Sequence, residues 1–325
     1  MSANAQSFSA RRSGGVRHTP EADIESIRDL LRGYGSSRSI LKELIQNAED
    51  SGASRMEMLY LTGDPTSPHS LLRGPGLLVA NNGTFTQENR DAITQINLGT
   101  KGTEERAIGR FGKGLKSVFA WCEAFFIIAR TDRNQGWPDD AITDFFNPWH
   151  GWRHQDWEDE FEQNGDAILS EARKHFTDIY RESDPWLAFW FPLRCELHTK
   201  DGDDRESFDN GLPGEDPSFI KNLATELRTL APSLVSLRNL QRIAILDCNG
   251  GQQASLIWEF PARSERIPAP DAEPGSVLAV RGETTLRAEG ETPLRYCGFA
   301  GRLSDRPRAC CRLGLPDKSG TSSRR

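Results

Sequence analysis

Ile40-Leu-Lys-Glu43-Leu-Ile-Gln-Asn47-Ala-Glu-Asp50, preceded by Ser36, Ser37 and Ser39 and followed by Gly52, is the stretch on which the fold turns. Serine ahead of an apolar-periodic run predicts a helix N-cap, and glycine just past the run predicts a left-handed stop. At about 100° per residue, with Glu43 at zero, Asn47 falls near +40° and Asp50 near −20°. Leu41, Leu44, Ile45 and Ala48 fall between about 100° and 200°. The helix therefore has an apolar face that can pack on a sheet and one narrow stripe of carboxylate, amide and carboxylate. Such a trio suits magnesium, which takes few hard oxygen ligands and leaves its other positions to water and phosphates, while a free glutamate nearby orients water. Taken alone, the stripe is equally what a solvated amphipathic helix carries.

On the N-terminal side, Thr19-Pro20 reads as a cap with proline at the first helical position, and Ile24, Ile27, Leu30 and Leu31 recur at helical spacing as far as Gly33. On the C-terminal side, Met56, Met58 and Tyr60 alternate as in a strand. Gly76 to Ala80 is a short apolar strand, and Asn81-Asn82-Gly83 a turn. Thr86 caps a helix bearing Ala92, Ile93 and Ile96 that ends at Gly99. A glycine-rich stretch, Thr100 to Gly114, leads directly into a helix from Leu115 to about Trp121 and a strand, Ala124 to Ala129. Glycines before a helix start let backbone N–H groups approach an anion, and the helix terminus adds roughly half a positive charge. The spacing Gly109-Arg110-Phe111-Gly112-Lys113-Gly114 is neither the P-loop nor the dinucleotide fingerprint. A tight turn before a helix remains the plain alternative, and Lys113 and Lys116 can equally face phosphate or solvent.

Taken in order, Glu43-x-x-x-Asn47-Ala-x-Asp50, a strand ending in Asn81-x-Gly83, Gly99-Thr100-Lys101 and Gly109-x-Phe111-Gly112-x-Gly114 resemble the GHKL, or Bergerat-fold, ATPases. That superfamily groups type II topoisomerase B subunits, the ninety-kilodalton heat-shock chaperone, sensor histidine kinases and MutL. The variants Leu-Val-Ala-Asn81-Asn-Gly83-Thr-Phe-Thr86 and Gly109-Arg-Phe-Gly-Lys-Gly114-Leu-Lys-Ser-Val-Phe119 look most like the sacsin-like branch of the chaperone group. The resemblance covers about residues 20 to 130, with weaker likeness at Trp186 to Arg194 and Ser236 to Leu246.

The resemblance implies an α/β, two-layer α+β sandwich: a mixed, mostly antiparallel sheet with helices on one face and nucleotide on the helix side. It implies that Glu43 polarises the attacking water and that Asn47 ligates magnesium bridging the phosphates. Asp50 continues the polar stripe toward the nucleotide. Asn81 stands where most members carry an aspartate that accepts from the adenine amino group, and its amide oxygen can accept that bond. Gly83 lets backbone approach the base. Thr100 and Lys101 belong to a lid running to Arg106, and Gly109, Arg110, Phe111, Gly112, Lys113 and Gly114 form the phosphate cradle. Two departures accompany this: Thr84 and Phe85 replace the usual second glycine of the third motif, and Leu187 stands where a threonine is expected. The chaperone group's middle domain, which brings a basic residue to the γ-phosphate, has no room after Arg263, so slow or absent turnover by this chain alone is expected.

The function expected is magnesium-dependent ATP binding with slow hydrolysis, used as a conformational switch in a chaperone-like or regulatory protein. The alternative is a non-hydrolysing interaction module that serves a protein partner through its aromatic insertion. A sensor-kinase role is disfavoured, because no helical hairpin pattern precedes residue 20 and no apolar run is long enough for a span. The expected organisation is a disordered tail over 1–18, an ATP-binding domain over 19–262 with an acidic, aromatic insertion at about 132–185, and a loop-rich, disordered or truncated tail over 263–325. One helix is expected in the insertion, near Asp166 to Tyr180.

Forty Lys plus Arg against forty-seven Asp plus Glu leave a net charge of −7, which disfavours nucleic-acid and membrane-surface roles. No leader pattern and no C-x-x-C pair occur among the six cysteines, so a cytoplasmic protein is expected, with an unknown protein client and a homodimer as its partners. His150 and His154 have chelating spacing, but their Trp-rich setting favours a structural role. Cys310-Cys311 and the arginines from Arg302 to Arg312 read as incidental tail residues.

Overall fold

The cap at Ser36 forms as predicted: its backbone is extended and its side chain accepts from the Ser39 amide at 3.3 Å. Helix α2 (Ser37–Asp50) follows and buries Ile40, Leu41, Leu44, Ile45, Asn47 and Ala48. Gly52, at φ +78°, takes the left-handed turn that ends it. The computed structural model describes residues 20–86, 89–90, 93, 112–130, 142–149, 154–175, 186–199, 207–208, 211–234, 237, 239–248, 255–261, 263–266, 278–284, 294–302 and 310–316. The tail over 1–18 lies outside them.

Helix α1 (Pro20–Tyr34) precedes α2. Strands β1 (Arg55–Leu61) and β2 (Gly76–Asn81) match the alternating and apolar runs of the sequence. Helix α3 (Gly112–Leu115) continues without a break into a 3-10 turn, Lys116–Ala120, and leads to β3 (Phe125–Arg130). Strands β4 (Ile142–Phe146) and β5 (Trp186–Pro192) come next, the latter followed by the single turn α5 (Glu196–Thr199). Between them runs α4 (Gln155–His175). Helix α6 (Phe219–Leu234), strand β6 (Arg242–Asp247) and strand β7 (Ser255–Pro261) complete a seven-stranded sheet in the order β4-β3-β5-β2-β1-β6-β7. Every neighbouring pair is antiparallel except β1 with β6, so the sheet is mixed and mostly antiparallel, the fold class read from the sequence.

Side chains alternate across a strand, and directly opposed residues share a face. On one face Phe125 meets Phe119, Phe146 and Phe191, with ring centroids 5.1 to 5.7 Å apart. Phe119 belongs to the 3-10 turn after α3; α1 and α2 pack on that turn, and α2 also packs on α3 and α6. Leu77 lies opposite Phe191 and Asn81 opposite Leu187, so Asn81 also projects toward the helical layer. On the other face Phe126 stacks on Phe145, and both lie against Phe161 of α4. The insertion thus adds a helix across the sheet from the main helical layer.

The insertion departs from its expected form in two ways. It contributes a strand, β4, and its helix begins eleven residues before Asp166 and ends at His175. Buried Trp157, Phe161, Ile168 and Ala172 recur at intervals of four and seven, a helical stripe that the surrounding charges conceal. Buried His69 fastens α4 to the segment before β2: its Nδ1 accepts from the Leu71 amide and its Nε2 donates to the Trp157 carbonyl at 3.1 Å. Burial lowers its pKa to about 4, so the ring is neutral. In the sequence over 263–325, strands β8 (Arg263–Arg266), β9 (Leu278–Thr284), β10 (Leu294–Arg302) and β11 (Cys310–Pro316) form a four-stranded antiparallel sheet, where composition pointed to loop.

Asp144 on β4 accepts from Arg90 Nη2 at 2.6 Å. Burial outweighs the pull of that arginine and raises the carboxyl to about 6. A carboxyl whose pKa is higher folded than unfolded binds more protons in the folded state, so its contribution to stability falls as pH rises from about 4 to about 6. Asp144→Asn is expected to remove this component, worth at most about 3 kcal/mol. Thermal melts of both proteins from pH 4 to 7 measure it; parallel pH profiles contradict it.

Candidate functional site

α2 carries Glu43 in its middle and Asn47 one turn later, as the wheel requires. Glu43 is half-buried, and burial raises its pKa above the ordinary glutamate value. A methyl group added at Gly114 would overlap the Glu43 carboxylate. The first and last sequence motifs therefore meet here, and glycine at 114 is what allows it. Asn47 is 5% exposed, and among the described residues its Nδ2 has no hydrogen-bond partner. A buried amide donor without a partner is costly, by about 1–3 kcal/mol, so its setting favours an acceptor supplied by something bound. Asp50, the last residue of α2, is exposed.

The turn after β2 docks on the end of α2. Asn81 is 4% exposed and its Oδ1 accepts the Gly83 amide at 2.9 Å. The Thr84 amide donates to the Ser51 carbonyl at 3.1 Å, and a side chain at Gly83 would collide with Ser51 Oγ. Asn82 is the fastening between them: its Oδ1 accepts the Ser54 and Arg55 amides, each at 2.9 Å, and its Nδ2 donates to Ser54 Oγ. Its companion Asn81 is left to face the helical layer. Thr86 and Asn89 exchange bonds as a helix cap, as the sequence predicts.

Glu43, Asn47, Asn81, Gly83 and Gly114 are thus assembled by α2, the β2 turn and α3. Gly112 and Lys113 lie on the α3 backbone beside them. Thr100, Lys101, Gly109, Arg110 and Phe111 lie outside the described residues. Three contributors escaped sequence reading. Glu49 accepts the Asn239 and Leu240 amides, the latter at 2.9 Å, and so ties α2 to the entry of β6. Arg194 and Glu123 form a buried ion pair behind α3. An Asn-Asn-Gly turn signals only the first of such fastenings, the one made by Asn82.

His154, at φ +57°, stacks on Trp157 at 4.0 Å and meets Trp149 edge-on at 5.5 Å. Its partner in the chelating pattern, His150, lies outside the described residues. Among the described residues no group of three metal-ligating side chains occurs, and no helix is long and apolar enough to cross a membrane.

The family model of the Sacsin domain matches residues 21–254. Human sacsin (Homo sapiens) is 36% identical over 125 residues, a match covering 36% of this chain and 3% of the human protein. Among solved structures, the B subunit of DNA gyrase from Myxococcus xanthus is similar over 83% of this chain and 69% of that one, at 9% identity and a TM-score of 0.38.

Proposed function

The chain belongs to the Sacsin domain family, and from that membership and the geometry around α2 we propose that it binds ATP with magnesium and hydrolyses it slowly. The observation that carries this reading is the meeting of Glu43 with Gly114 beside a buried Asn47 whose amide NH2 has no partner among the described residues. The residues fit the ion: an asparagine amide presents a hard oxygen to magnesium and an NH2 to a phosphate oxygen, and a carboxylate one turn away stays free to act on water. Asn47 would hold magnesium, which neutralises charge on the phosphates of the bound nucleotide. Glu43 would orient the attacking water in line with the γ-phosphate, and its raised pKa strengthens it as a base. Asn81 would accept from the adenine amino group with the lone pair of Oδ1 that Gly83 does not use.

In this reading residues 19–262 form the nucleotide-binding domain, 132–185 its insertion, and nucleotide state switches the conformation of a chaperone-like or regulatory protein. The cradle completes itself with Gly109, Arg110, Phe111, Gly112 and Lys113, the lid with Thr100 and Lys101, and Asp50 extends the stripe at its exposed end. A client protein, a homodimer and a cytoplasmic setting accompany the proposal.

Asn47→Ala tests it. Calorimetric titration is expected to give ATP binding that magnesium no longer strengthens, with a smaller loss of magnesium-free affinity from the missing NH2 contact to phosphate. An unaltered magnesium dependence removes Asn47 from the site. The alternative, a module that does not hydrolyse ATP, predicts that a protein partner binds equally with and without nucleotide.

A further inference from the structure

We infer that Arg194 is the positioning residue for the glycine turn that faces Glu43, an inference that rests on the nucleotide reading above. Arg194 lies two residues beyond β5 and is 2% exposed. All five of its guanidinium N–H donors are used. Nε donates to Glu123; Nη1 donates to the carbonyls of Ala120 at 3.3 Å and Gly211 at 3.2 Å; Nη2 donates to those of Phe119 at 2.9 Å and Cys122 at 3.2 Å. The Arg194 backbone amide takes the carbonyl left over, that of Trp121, at 2.8 Å. Four consecutive carbonyls, 119 to 122, therefore end on this one residue.

Those carbonyls close the helical run that begins at Gly112. The last carbonyls of a helix have no partners within it, and a cation is favoured there. Elsewhere solvent or a C-cap glycine would supply this, with no control over where the helix points. Here the clamp is itself held: Glu123 also accepts the Phe208 amide at 3.2 Å, and the Gly214 amide donates to the Arg194 carbonyl at 2.9 Å. Because Gly112–Ala120 is one continuous run, anchoring its far end sets the place of Gly114 against the Glu43 carboxylate, where even one added methyl does not fit. Lysine cannot replace the clamp, since its ammonium is a single point with three donors.

The effect of this clamp falls on the phosphates, whereas the base site at Asn81 and Gly83 is fastened separately through Ser51 and Ser54. The test is calorimetric titration of the full chain, Arg194→Lys and Glu123→Gln with magnesium-ATP and with adenosine. Arg194→Lys keeps the buried cation but loses the carbonyl set, Glu123→Gln keeps the arginine but loses the carboxylate charge that fixes its Nε, and the result is read on whichever is folded by circular dichroism. The expected result is adenosine affinity within about twofold of the parent and ATP affinity lower by about tenfold or more. A folded variant with the parental ratio of ATP to adenosine affinity overturns the positioning role, as does a proportional loss of both ligands, which is what a purely structural residue gives. A parent chain that binds neither ligand overturns the nucleotide reading and this inference with it.

Discussion

Glu43→Ala is expected to abolish measurable ATP turnover while sparing most of the ATP binding. The carboxylate stands on the inner part of α2, half-buried, and touches the Gly114 turn. In the proposed mechanism it acts on water, not on the nucleotide, so its loss removes base assistance worth roughly 10²–10⁴-fold in rate. Removing a partly desolvated carboxylate also lessens repulsion toward phosphates, so binding need not weaken. Because burial raises its pKa, the acid limb of the parental rate profile is expected above the ordinary glutamate range. Single-turnover measurements with radiolabelled ATP, run from pH 5 to 8, check both points. Normal turnover in the variant would falsify the assignment of Glu43.

Gly114→Ala is expected to impair phosphate binding and turnover together. The new methyl overlaps the Glu43 carboxylate, so either that side chain swings away or α3 moves off α2. Overpacking of this kind costs about 1–3 kcal/mol of stability, and a displacement of about 1 Å at a reacting centre costs up to 10²-fold in rate. The double variant Gly114→Ala with Glu43→Ala separates the two consequences. It is expected to regain the lost stability, because the clash is gone, but not turnover. If Gly114→Ala alone melts and turns over like the parent, the contact between α2 and α3 has no bearing on function.

The core of this fold was legible because its elements announce themselves locally. Ser36 and Gly52 bracket α2, alternation marks β1, and Asn-Asn-Gly marks the turn after β2, each through chemistry confined to a few residues. Glu43 and Asn47 could be put on one stripe because helix periodicity decides which way a side chain projects before any packing is known, and Asn81 stood out as a polar residue ending an apolar strand beside a glycine turn. What escaped was set by distance along the chain. Arg194 binds carbonyls more than seventy residues earlier, and Glu49 accepts amides 190 and 191 residues away. No local pattern reports such pairings. The α4 helix was placed too late because Asp and Glu crowd its exposed side, while its buried stripe of Trp157, Phe161, Ile168 and Ala172 occupies the face that meets β3 and β4. Its position on the far side of the sheet followed from the alternation of Phe125 and Phe126, each anchoring a different aromatic cluster.

The central claim, that this Sacsin-domain chain holds magnesium-ATP at α2, is tested most directly by calorimetric titration of the purified chain with ATP, with and without magnesium. The account predicts saturable binding that magnesium strengthens. Heats that stay at the dilution level up to millimolar ATP would contradict it, leave the fold intact, and turn the assignment toward the protein-interaction module.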